Sequence, residues 1–170
     1  MFFEHVKAQV RLSAADALVR IDHGDRELLS DGDVIVFFRK SDVIAAGHVI
    51  EDLTFPTMTE GGSLVGTIDA LNRILLTTVA SWRSQGGTQV IPVRGRPYDE
   101  GDVAEYRDMV TIVRDRLQDA IATGRTLAQV KADRLSQDYD RRYGSVPGPG
   151  STDAFIDAAF QSLAARKGTN

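Results

Sequence analysis

The chain has no cysteine. Disulfides, thiolate metal sites and a cysteine nucleophile are therefore excluded, while no compartment is chosen. Histidine is scarce. His5, His23 and His48 are the three present, and none is spaced as His-x-x-x-His or His-Glu-x-x-His, the patterns that put two imidazoles on one helix face. No apolar run approaches the roughly 20 residues of a membrane helix. The net charge of −4 is mild and gives no reason to expect nucleic acid or an anionic membrane as a partner. Internal repeats and low-complexity tracts are lacking as well. Met1-Phe2-Phe3-Glu4-His5 has no basic stretch leading into a long apolar run, so it does not read as a secretory signal. The expected location is the cytoplasm.

What is present fits a single domain over residues 1–170, long enough for a sizeable core. Phe2 to Val10 reads as a short helix and Ala17 to Asp22 as a strand, with a turn at His23-Gly24-Asp25. Two strands follow, Asp33 to Phe38 and Val43 to Val49, joined by Arg39-Lys40-Ser41-Asp42. Both are apolar over nearly their whole length, which implies burial on both sheet faces. Leu64, Ile68, Leu71, Leu75, Val79 and Trp82 recur at helical spacing and predict a helix from Ser63 to Arg83. Gly86-Gly87 stops it. Thr88 to Val93 reads as a strand, and Pro92 inside it argues for a strand end or a sheet edge. A long helix is predicted from Glu100 to Ala122, with Gly124 as its stop. Thr126 and Gln129 form a capping-box pattern for a short helix from Leu127 to Leu135. Gly144 to Gly150 is a loop, and Ser151 or Thr152 caps a last helix carrying Phe155, Ile156, Ala159, Phe160 and Leu163.

Asp31-Gly32-Asp33, the strand Val34 to Phe38 and the strand ending Ala45-Ala46-Gly47-His48 are similar to the centre of the metallo-β-lactamase superfamily. Further words follow in the family's order: Phe55-Pro56, Gly61-Gly62-Ser63, Ile68 to Leu75, Gly86 to Pro92, Asp102 to Val110 and Thr152 to Phe155. The resemblance covers residues 31–163, the family's C-terminal half, with residues 1–30 divergent. Its first half, with the His-x-His-x-Asp-His metal motif, has no counterpart here. The implied fold is α/β: half of an αββα sandwich, one mixed sheet covered by helices on one side.

The resemblance also implies where metal ligands would stand. The family's bridging Asp corresponds to His48, a ligand His to Arg94 and another ligand His to Leu29. Of these three, only His48 can donate a lone pair, since a guanidinium stays protonated. His48 could bind a metal or act as an acid or base, or make one structural hydrogen bond. Arg94 and Arg96 could receive a carboxylate or phosphate, or pair with Asp31, Asp33 or another carboxylate and fill the space a metal would take. Asp31 and Asp33 are also natural turn formers. His48, Arg94, Arg96, Asp31 and Asp33 are thus the ligand-binding candidates, with His48 the candidate catalytic residue and no metal or cofactor expected.

The expected function is a metallo-β-lactamase-like protein with a degenerate metal site, a non-catalytic binding or interaction module. The alternatives are a zinc-dependent hydrolase of a small ester, lactam or lactone completed by a partner chain, or a remnant without activity. A half-sandwich leaves its inner sheet face bare. A homodimer through that face is therefore expected, with Phe37 or Phe38 in or near the contact. A separate chain supplying the missing half is the competing partner.

Overall fold

A computed structural model describes residues 19–23, 34–58, 62–80 and 86–167. The expected helix Phe2 to Val10, Leu29, Asp31, Asp33 and Trp82 lie outside the described residues. Four strands form one mixed sheet in the order β1-β2-β3-β4. They are β1 (Val19–His23), β2 (Val34–Phe38), β3 (Val43–Gly47) and β4 (Gln89–Pro92). β1 and β2 are antiparallel, β2 and β3 antiparallel, β3 and β4 parallel. β4 lies at the end of the sheet order and finishes on Pro92, as expected for a strand containing a residue that cannot donate to a ladder. His23, expected in a turn, is the last residue of β1 and pairs with Val34.

Side chains alternate across the sheet. Ile35, Ile44, Ala46 and Val90 are buried, and Phe37 packs against the same core. The register sets Phe37 opposite Ile44 and Ile44 beside Val90, so these share one face. The other face carries Val34, Val36, Phe38, Val43 and Ala45, all part-exposed, and Ile91, which is exposed. Among the described residues, the expectation of burial on both faces is therefore met on one face, while the other is part-exposed.

The long connection from β3 to β4 contains α1 (Leu64–Thr77), capped by Ser63, whose hydroxyl accepts from the Gly66 N–H at 2.9 Å. α1 stops six residues short of the predicted Arg83. Thr77 and Thr78 turn their hydroxyls back onto the carbonyls of Ile74 and Leu75, a bond that competes with helix continuation. Val79 then leaves the helix and exchanges bonds with Thr88. Its N–H donates to the Thr88 hydroxyl at 2.8 Å and its carbonyl accepts from the Thr88 N–H at 2.9 Å.

α2 (Glu100–Ala122) has the predicted limits. Its buried side, with Val103, Tyr106, Val110, Val113 and Leu117, packs against α1, β4 and α5. α3 (Leu127–Asp133) ends two residues early, because Arg134 takes the left-handed conformation at φ 52°. α4 (Gln137–Tyr143) was not expected: its polar sequence, Gln-Asp-Tyr-Asp-Arg-Arg-Tyr, carries almost no apolar period. α5 (Thr152–Lys167) is the last described element. Phe155 on α5 stacks on Phe55 with ring centroids 4.6 Å apart, and Tyr143 on α4 meets Tyr106 edge-on at 5.7 Å. This aromatic group ties the loop after β3 to three helices. No helix among the described residues is long and apolar enough to cross a membrane.

Candidate functional site at the carboxyl ends of β3 and β4

Parallel neighbours β3 and β4 end side by side, the place where α/β proteins commonly build sites. The Val93 N–H donates to the carbonyls of Gly47, at 3.0 Å, and Ile50, at 3.3 Å. His48 and Arg94 each follow one of these strand ends. Gly47 has φ 56°, a left-handed turn that ends β3 two residues before the expected Val49. Val49 and Ile50 then tuck into the core, leaving His48 exposed at the corner. His48 makes no hydrogen bond or ion pair with the described residues.

Arg94 has a partner that the sequence did not suggest. Its terminal nitrogen donates to Glu51 Oε2 at 2.6 Å. The Glu51 side chain is 8% exposed and that of Arg94 is 73% exposed. A nearly buried carboxylate at the end of one loop is thus covered by a solvent-facing guanidinium from the next. The backbone adds a second tie, from the Asp52 N–H to the Arg94 carbonyl at 3.3 Å.

Arg96 is paired elsewhere. It forms a two-pronged bridge to Asp102, at 2.7 and 2.6 Å, and lies over the Tyr98 ring at 4.9 Å. Asp102 also belongs to the capping box of α2, exchanging bonds with Asp99. The Arg96 bridge holds the Asp102 carboxyl below the usual carboxylate range. Reciprocally, the hydrogen bond to Asp102 raises the exposed Arg96 guanidinium. Asp52 accepts from the Tyr98 hydroxyl at 2.9 Å and from the Arg96 N–H at 3.3 Å. Burial first, then the Asp52 carboxylate, pushes the Tyr98 phenol above its ordinary value. Tyr98 therefore remains a hydrogen-bond donor. Gly95 makes this packing possible, with φ 101° and space so tight that a Cβ would stand 2.0 Å from Asp52 Cβ.

The structure therefore brings His48, Arg94 and Arg96 to one end of the sheet, with each arginine on a different carboxylate. Neither carboxylate is Asp31 or Asp33, which lie outside the described residues. Glu51, Asp52, Tyr98 and Asp102 are the site residues that sequence reasoning missed. Two signals were available: Glu51-Asp52 is a charged pair directly after the apolar Val49-Ile50, and Asp99-x-x-Asp102 opens a strong helix. Among the described residues, no three His, Asp or Glu side chains gather closely enough to hold a metal ion.

No protein-family model and no curated protein matches the chain. Among solved structures, the fold is similar to a double mutant of the sec-alkyl sulfatase PisA1. The TM-score is 0.59 at 13% identity, over 89% of this chain and 25% of the sulfatase chain. A metallo-β-lactamase from Pontibacter korlensis aligns with TM-score 0.41 and 14% identity, over 64% of this chain and 62% of that one. The chain thus spans a quarter of the length of the sulfatase it matches. The likeness is one of fold alone: α/β, a mixed sheet with helices.

Proposed function

We propose that this chain is a metallo-β-lactamase-like module that binds or interacts without metal hydrolysis. The single observation that carries the reading is the Arg94–Glu51 pair at the carboxyl ends of β3 and β4. The superfamily resemblance puts a metal ligand at Arg94. A metal-activated hydroxide needs a bound ion with neutral or anionic donors around an open position. Arg94 offers no lone pair and brings a fixed positive charge. The carboxylates nearby are engaged: Glu51 by Arg94, Asp52 by Tyr98 and the Arg96 N–H, Asp102 by Arg96. His48 lies at an exposed corner, bonded to none of the described residues. These residues do not fit a catalytic metal. In their place a guanidinium supplies the positive charge that holds the two strand ends together.

The partner in this reading is a second copy of the chain, docked through the open sheet face that carries Val36, Phe38, Val43, Ala45 and Ile91. That face with its flanking loops would bury about 1,500 Å² in total, the size of a stable interface. Turnover separates this reading from a hydrolase. Nitrocefin and simple ester and lactone substrates, offered with added zinc, are expected to survive at the uncatalysed rate. Zinc-dependent turnover that disappears in His48→Ala would establish the hydrolase instead.

A further inference from the structure

A cavity of about 260 Å³ lies between α3, α4 and the start of α5, away from the strand ends. Its apolar floor includes Val130 and Ile156, both buried. Its polar wall is amphoteric, with Lys131 and Arg134 set among Asp140 and Asp153. Lys131 is committed to Asp157, 2.7 Å away. Arg134 is not committed in the same way. Its side chain is 67% exposed, and among the described residues its nearest carboxylate oxygen, Asp140 Oδ2, is 3.7 Å away, beyond hydrogen-bond reach.

The Asp140 carboxylate has one oxygen occupied and one open. Oδ1 accepts from the hydroxyls of Ser136, at 2.8 Å, and Thr152, at 3.1 Å. These bonds fix the carboxylate between α4 and α5. Oδ2 accepts no hydrogen bond from the described residues, and faces the Arg134 guanidinium. Arg134 itself sits in a left-handed backbone conformation, φ 52°.

We propose that this cavity binds a small zwitterion of the α-amino-acid class with an apolar side chain. The ligand carboxylate takes the Arg134 fork, its ammonium takes Asp140 Oδ2, and its side chain rests on Val130 and Ile156. The volume suits a compound below drug size, since drug-sized pockets start near about 300 Å³. The site is separate from Arg94 and does not rest on the reading of the strand ends.

L-Leucine is the probe, titrated into the full chain while backbone amide shifts are followed by NMR. Saturable shifts are expected in residues 130–140 and 152–156, at about millimolar concentration for so small a ligand. Arg134→Gln is expected to weaken binding about tenfold or more, the worth of a charge-assisted hydrogen bond. 4-Methylpentanoate, which lacks the ammonium, and 3-methylbutylamine, which lacks the carboxylate, should each bind about tenfold more weakly to the unaltered chain. That comparison decides the matter even if Arg134→Gln misfolds. No saturable shift at about ten times the expected concentration, or equal binding by the amine alone, overturns the proposal.

Discussion

Replacing Arg94 with Met removes the only described cation on a nearly buried carboxylate. The wild-type contact is one short charge-assisted bond, 2.6 Å from nitrogen to oxygen. Such bonds contribute about 1.5–3 kcal/mol, and breaking a fully buried pair costs about 3–5 kcal/mol. Arg94 is 73% exposed, so water screens its side of the pair and lowers the figure. The expected loss is about 1–2 kcal/mol, or a fall in Tm of about 3–6 °C for a domain of this size. Urea unfolding at pH 7 measures it. The companion variant Glu51→Met removes the partner, and the double variant leaves no buried charge behind. The double variant should therefore recover at least about 1 kcal/mol relative to the sum of the singles. An Arg94→Met loss under about 0.5 kcal/mol, or strict additivity in the cycle, would refute the idea that Arg94 is the resident cation of this site.

Three further outcomes follow from the same geometry. Gly95→Ala forces a Cβ to 2.0 Å from Asp52 at φ 101°, and should cost about 2 kcal/mol or more in urea unfolding; a neutral effect would show that the two loops are not packed as described. Asp102 is held below its ordinary value by Arg96, so its contribution is present above about pH 4 and is lost as the pH falls through its folded value. Asp102→Asn should make acid unfolding shallower below pH ~4, and an unchanged acid limb would contradict the bridge. Phe38 lies on the open sheet face, part-exposed. Phe38→Glu is expected to cause aggregation or unfolding, and a stable monomer of the unaltered chain at micromolar concentration in sedimentation would remove the homodimer from the account.

Long periodic elements were the most legible from sequence. α2 was legible because a long apolar stripe at helical spacing and a glycine stop agree, and together they outweigh the β-branched run Val110-Thr111-Ile112-Val113. β2, β3 and the turn between them were legible because short apolar runs rich in Val, Ile and Phe, bounded by turn residues, carry short-range information. The misses were tertiary. α1 ends early because Thr78 and Val79 bond to carbonyls and to Thr88 across the fold, contacts that no window of sequence contains. α4 lacks an apolar period and is held by Tyr143 and by the Asp140 network. At the strand ends, sequence pointed to His48, Arg94 and Arg96 but not to their partners. Glu51 and Arg94 are 43 residues apart, and pairing at that distance is set by the parallel β3–β4 register. The charge of Arg94 was legible; the carboxylate it covers was not.

Metal content tests the central claim most directly. Elemental analysis of the full chain, purified without chelator and then dialysed, is expected to find no stoichiometric zinc, iron or manganese. One tightly held metal ion per chain, lost on His48→Ala, would contradict the account and return the strand ends to metal chemistry.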